Sequence, residues 1–569
     1  MQTVPVRLVD YFDGRKQSII PLFQRPYTWQ HSNWETLWQD ILDCYDESGK
    51  LDPHFMDAVV SLPVTTTPIG VIKYLIIDGQ QRLTTVSILL CVLRGFLDEA
   101  VKDRIQDFLI NRHDKGIDRY KLAPTQADRA TYESLVGEKA EIETESQLFK
   151  ASQYFKKKLS TMKSSDSIGP LQILEVIESA LRVVMISLDP EHEDPYEIFE
   201  SLNFKGTPLT PGDLVRNFIL MKYRHSIGDD GEQTRIYNEY WNPIEMNCGE
   251  DLPQFLMHYC RLSGREVRKK SVYTSFKSHI EETCKAPAGK TLDADEAGIV
   301  LEQELIRMKQ ASAIYPLLLN PDRETNDRIA RPLNVLKILG VTVFYPLLMR
   351  LFVGEVCGTI TREELCNSLD VLNAFLIRRA VCNLKNNALD SLTTQLLKDW
   401  DEKRPATFLR DTLSKQTGNL RWPKDKEFVE SFIEDPQYGR KSTQWVLWQL
   451  EESHGHKEGL NPKNIQTEHI LPQTQSTDWI QSLSEADKEH IERWIDTYGN
   501  LTLTGYNPEL SNRGFTAKRE IYAKSHFEIN KTIASESSWS IASIRRRGEA
   551  LAQMALKVWS GPLAVSETI

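Results

Sequence analysis

A chain of 569 residues is several times the usual length of one domain, so two or three hydrophobic cores are expected. With 40% hydrophobic residues, 12 Trp, 19 Tyr and 20 Phe it is too rich in apolar and aromatic groups to be disordered, and a net charge of −11 excludes a whole-surface nucleic-acid coat. The opening residues lack an apolar signal core, no stretch approaches the roughly 20 apolar residues of a bilayer crossing, and the eight cysteines include no C-x-x-C pair. A cytoplasmic protein with no membrane partner and with reduced, mostly buried thiols is expected.

Residues 1–224 alternate short β-like runs (59–64, 74–77, 181–186) with helical ones, the pattern of an α+β domain. There the segment Asp78-Gly79-Gln80-Gln81-Arg82 follows a strand and opens a strongly apolar helix. Such a start exposes free backbone N–H groups at the positive end of the helix dipole, which favours a bound phosphate. Arg82 adds a forked cation, Asp78 is placed to hold a metal ion or to position Arg82, and the amides of Gln80 and Gln81 suit a base or sugar. Upstream, Gln24-Arg25 stands between the apolar anchors Phe23, Tyr27, Trp29 and Trp34. The aromatics are expected in the core, the polar pair in a nucleotide pocket with Arg82. Downstream, 196–214 reads as a helix, an Asn/Gly turn and a second helix with Thr210 as N-cap and Pro211 at its first position. Asn203, Lys205 and Asp213 are candidates for the same pocket.

Residues 225–406 are helical nearly throughout, interrupted by the polar stretch 285–290, and read as a spacer and dimer surface. Local basic runs, Arg378-Arg379 and Arg545-Arg546-Arg547, are candidate DNA contacts, although a solvated helix face explains each run equally well.

Within 407–569, the residues 464–472 read as a short strand stopped by Pro472 with His469 at its end. A turn at Gly499-Asn500 leads into a second strand, and a helix follows over 517–523, giving the order β, β, α. Phosphodiester hydrolysis needs a base, a metal ion on the scissile phosphate and a group that orients the base. His469 has a pKa suited to the base, Asn500 is a candidate to orient its ring, and Glu468 with Asn507 or Asn512 offers hard oxygen ligands for Mg²⁺ or Mn²⁺. Asn507 is placed slightly ahead of Asn512 as the ligand. Lys518 is a candidate phosphate contact, or an ordinary exposed lysine.

Glu468-His469-Ile470-Leu471-Pro472-Gln473 is similar to the (D/E)-H-I-x-P-Q element of HNH nucleases. With 499–503, the N-x4-N pair Asn507 and Asn512, and Phe515-x-x-Lys518, it resembles the C-terminal domain of GmrSD-type modification-dependent restriction enzymes. The 78–82 and 20–29 segments resemble the ParB/sulfiredoxin-like N-terminal domain of the same enzymes, and 196–214 matches a third stretch. Met56-Asp57-Ala58 departs from the family, where relatives carry a small Gly-Ser step.

The resemblance implies a predominantly helical α+β chain in three parts. These are a ParB/sulfiredoxin-like nucleotide-binding and DNA-sensing domain (1–224), a helical coupling region (225–406) and a ββα-metal (HNH) nuclease domain with C-terminal helices (407–569). It implies a type IV restriction endonuclease of phage defence that cuts double-stranded modified DNA, carrying glucosylated hydroxymethylcytosine or another modified cytosine. Mg²⁺ or Mn²⁺ would serve the cut, and a nucleoside triphosphate (ATP, GTP, UTP or CTP), bound at Gln24, Arg25, Asp78, Gly79, Gln80, Gln81 and Arg82 and hydrolysed, would regulate it. A homodimer is the candidate assembly. Two alternatives are a phosphorothioate-sensing DNA nickase and a nucleotide-sensing DNA-binding regulator with an inactive HNH domain.

Overall fold

The computed structural model of the protein describes residues 2–45, 49–64, 70–138, 144–162, 168–189, 198, 210–227, 230–283, 294–455, 465–505, 510 and 512–562. Asn203, Lys205, Asn507 and the polar stretch 285–290 lie outside them. The chain divides into two compact units, Met1–Asn242 with Phe276–Glu304, and Pro243–Ser275 with Leu305–Ile569. The helical middle is therefore shared between the units. Among the described residues helices dominate over a small mixed sheet, an α+β architecture.

The first unit is organised by a six-stranded sheet in the order β1-β6-β3-β4-β2-β5. Its strands are β1 (Gln2–Arg7), β2 (Lys16–Ile19), β3 (His54–Val64), β4 (Ile72–Asp78), β5 (Leu122–Ala123) and β6 (Leu181–Ser187). β3 pairs parallel with β6 and antiparallel with β4, and β2 pairs parallel with β4 and β5. Helix α1 spans His31–Leu42 and α2 spans Gln80–Leu93. Ten of the fourteen residues of α2 are buried, including every residue from Leu83 to Leu90, which explains an apolar run not confined to one stripe. Phe23, Tyr27 and Trp34 pack in the core as expected, with Trp34 Nε1 donating to the Tyr27 hydroxyl at 2.8 Å. The register of β3 shifts between Phe55 and Ala58, where Asp57 adopts φ +70°, a left-handed conformation unusual for a residue with a side chain.

In the second unit, β7 (Gln466–His469) and β8 (Leu501–Thr504) form an antiparallel ribbon with His469 opposite Leu501. The helix Phe515–Ala523 follows, so the β, β, α order is present, with three short helices between the strands. An isolated two-stranded ribbon is marginal in water. This one is flanked by a cluster that includes Ile470, Leu471, Trp479, Trp494, Phe515 and Trp539. The long helix Ile541–Val558 packs against the turn Tyr498–Asn500 and the helix Asp425–Glu434.

Candidate active site

The turn before β8 is built by three residues that leave little choice. A methyl group on Gly499 would overlap the Ile544 carbonyl oxygen, so only glycine lets the helix Ile541–Val558 approach. Asn500 is fully buried. Its side-chain nitrogen donates to the Leu471 and Ile495 carbonyls, both at 2.9 Å, and its oxygen accepts from Leu471 N and Trp539 Nε1 at 2.9 and 3.0 Å. Arg547 donates from Nη1 to the carbonyls of Tyr498, Gly499 and Leu501 at 2.8–3.0 Å, and burial pulls its pKa down to about 10.

These bonds take up both side-chain polar atoms of Asn500, and its backbone oxygen accepts from Ile470 N at 2.9 Å, so it does not bond the His469 ring. The ring of His469, 8% exposed, is held by Asp496, whose Oδ1 accepts from Nε2 at 2.9 Å and from Gln473 Nε2 at 3.0 Å. A carboxylate accepts only from an N–H, so the proton sits on Nε2 and the Nδ1 lone pair is left to take one. Burial pulls the His469 pKa below its usual 6.5, while the hydrogen bond and charge of Asp496 oppose the shift. The ring is therefore neutral near pH 7, as a base must be. Tyr438, 44% exposed, covers the ring with centroids 4.3 Å apart.

Asp496 carried no motif in the sequence. Its one signal is an acid at the C-terminal end of the short helix Glu492–Ile495, where the helix dipole disfavours negative charge. Replacing it with asparagine removes the cause that raises the His469 pKa. The acid limb of a cleavage pH profile should then move to lower pH, and the plateau should fall roughly 10–100-fold. An unmoved acid limb would show that Asp496 does not act on the ring.

Lys518 is not a surface phosphate contact. It is wholly buried, and its ammonium donates to Glu468 Oε1 at 2.7 Å and to the His469 carbonyl at 2.8 Å. Burial lowers its pKa and Glu468 pulls it back up. Glu468 is thus engaged as an ion-pair partner, and Asn512 lies exposed in a turn. Among the described residues no group of three or more His, Cys, Asp or Glu is placed to hold a metal ion. Glu468 and Asn512 are hard oxygen donors, and the third candidate, Asn507, lies outside the described residues.

In the first unit, the polar residues of the two N-terminal motifs divide into locks and free groups. Gln24 Nε2 donates to the carbonyls of Ile76 and Ile77 at 2.8 and 2.7 Å, while Gln81 Oε1 accepts from Thr28 N and Trp29 N. Arg82 donates to the Met56 and Ala58 carbonyls at 2.5 and 2.7 Å, which fastens the bulge around Asp57. Asp213 pairs with the buried Arg216 at 2.8 Å and accepts from Thr210, which caps the helix Pro211–Ile227 as expected. Gln24 and Arg82 thus bond backbone carbonyls, Gln81 bonds backbone N–H groups, and Asp213 bonds Thr210 and Arg216. Arg25 and Gln80 make no side-chain hydrogen bond or ion pair among the described residues. Gly79 adopts φ +93° and a Cβ there would lie 2.8 Å from Val59 Cγ2, so the turn into α2 requires glycine.

The mid-chain basic run is not a DNA contact. Arg378 and Arg379 are fully buried: Arg378 Nε donates to the Trp559 carbonyl at 2.9 Å and its Nη1 pairs with Asp425, and Arg379 donates to the carbonyls of Asn419 and Lys385. Of the C-terminal run, Arg545 and Arg546 are exposed and Arg547 is not.

In the second unit a buried histidine, its carboxylate partner and the enclosing turn are thus brought together. Two family models match the chain: GmrSD restriction endonuclease, N-terminal domain, over residues 8–220, and GmrSD restriction endonucleases, C-terminal domain, over 422–554. The class is restriction endonuclease, a nuclease acting on DNA. The chain belongs to the GmrSD family of type IV restriction enzymes. A comparison with curated proteins gives no match. No helix among the described residues is long and apolar enough to cross a membrane.

Proposed function

We propose that the chain cuts double-stranded phage DNA bearing modified cytosine, glucosylated hydroxymethylcytosine first among the candidates. The second unit supplies the base and the first supplies nucleotide binding and modification sensing. The observation that carries the cleavage chemistry is the His469–Asp496 pair inside the segment matched by the C-terminal domain. His469 Nδ1 takes the proton of the attacking water, and Asp496 stabilises the imidazolium that forms. Mg²⁺ or Mn²⁺ dependence is part of the proposal, with Glu468, Asn507 and Asn512 as the oxygen donors to test.

For the nucleoside triphosphate the support is the open N-terminus of α2, whose cap Gly79 has no side chain to satisfy the first N–H groups, together with the unengaged Arg25 and Gln80. A second possibility, a nucleotide-sensing DNA-binding regulator with an inactive HNH domain, is favoured by asparagine at the third HNH position, a weaker metal ligand than histidine. Matched plain, glucosylated and phosphorothioated duplexes decide between them, incubated with purified protein, Mg²⁺ or Mn²⁺, and with or without triphosphate. Cleavage confined to glucosylated DNA supports the proposal. Cleavage confined to phosphorothioated DNA overturns the substrate, and cleavage of none favours the regulator.

A further inference from the structure

Beside the bulge in β3 lies a cleft of about 250 Å³, lined by Trp29, Asn33, Asp40, His54, Phe55 and Asp57 among others. It is slightly smaller than the ~300 Å³ at which sites for drug-sized ligands begin, so it suits a single ring. Its walls carry one chemistry on their faces and another on their rim. Phe55 is 56% exposed, an unusual cost for a phenylalanine, and Trp29 lines the same space with its indole N–H making no hydrogen bond among the described residues.

The rim is rich in acceptors. The Asp57 carboxylate is 85% exposed on a backbone held at φ +70°, and Asp40 stands 3.6 Å from His54 Nε2. A left-handed aspartate is a strained feature that the fastened Arg82 keeps in place. Arg82 is the one arginine or lysine in the lining; its fork donates to two carbonyls and its Nη1 also lies 3.4 Å from the Asp57 carboxylate. Two carboxylates against one engaged guanidinium repel a polyphosphate. Carboxylate acceptors, the Asn33 amide and a free indole N–H around aromatic faces instead match an uncharged ring that bears several hydroxyl groups.

We infer that this cleft binds the sugar carried on a modified base, with Trp29 and Phe55 against the apolar face of the ring and Asp40 and Asp57 accepting from its hydroxyls. The inference rests on the reading of the protein as a modification-dependent enzyme and names the residues that would read the modification. The triphosphate would then be excluded from the cleft and confined to the Arg25 and Gln80 side of the Asp78–Arg82 loop.

Equilibrium binding of the full chain to labelled duplexes with glucosylated or unglucosylated hydroxymethylcytosine, in EDTA so that nothing is cut, tests it. Wild type should prefer the glucosylated duplex by about tenfold or more, and the Asp40→Asn, Asp57→Asn double variant should bind the two alike. Asparagine tolerates the left-handed backbone at 57, so this variant should fold; Trp29→Phe, which keeps the apolar face and removes the indole N–H, should weaken the preference partially. Free methyl glucoside in excess should compete for the preference, and ATP should not.

A double variant with full wild-type preference, or ATP competition abolished by the same two substitutions, would overturn the assignment. So would a wild type without preference. His469→Ala protein should retain the preference, so a failure of the nuclease assignment registers in cleavage and a failure of the sugar site registers in binding.

Discussion

His469→Ala is expected to lower the rate of DNA cleavage by roughly 10²–10⁴-fold, the contribution of a positioned general base. The ring is neutral because it is buried, and its Nε2 proton is committed to Asp496, which leaves the Nδ1 lone pair to take a proton. The fold should tolerate the loss: the side chain's hydrogen bond to Asp496 is replaced by solvent on a carboxylate that is already partly exposed. Single-turnover cleavage of a modified duplex, with thermal unfolding alongside, separates the two effects. Wild-type cleavage by this variant would remove His469 from the chemistry and with it the proposed function.

The largest expected effect on stability is at Gly499. Its added methyl meets the backbone oxygen of Ile544, which belongs to a helix and cannot step aside as a side chain could. Gly499→Ala should cost about 3 kcal/mol, the upper part of the usual range for overpacking, and should lower the denaturant midpoint of the second unit. Gly548→Ala is the matched control. Its nearest neighbours would be Gly499 Cα and Ile433 Cγ2, both at 3.7 Å, which is ordinary contact, and alanine is the better helix former. Equal midpoints for the two variants would mean that the close approach at Gly499 is not what fixes the turn.

The ribbon and its helix were legible because Pro472 stops one strand and the turn at Gly499-Asn500 opens the next. His469 was legible because it sits in a compact motif. Asp496 was not, since its partnership spans 27 residues and three short helices whose packing no local pattern encodes.

The same limit applies to the charged residues. Lys518 and Arg547 were located correctly on their helices, but a lysine or arginine in sequence says nothing of burial, and solvated is the ordinary outcome. Arg547 lies one residue past two exposed arginines, and the helical turn of about 100° per residue carries it inward. In the first unit the glutamines of the motifs were recognised, yet their targets are backbone groups remote in sequence: the β4 carbonyl of Ile76 for Gln24, 52 residues away, and the amides of Thr28 and Trp29 for Gln81. Motif spacing marks which residues matter; only the fold shows whether they face a ligand or the loop.

The clamp of Arg547 on the carbonyls of Tyr498, Gly499 and Leu501 has a consequence for biosynthesis. The strand bearing the base leaves the ribosome first, and the guanidinium that sets its neighbouring turn is translated 46–49 residues after the carbonyls it holds. A nascent or truncated chain that stops short of this helix carries His469 without its scaffold. Until the chain has been translated past Arg547, the turn beside His469 lacks the guanidinium that holds its carbonyls together.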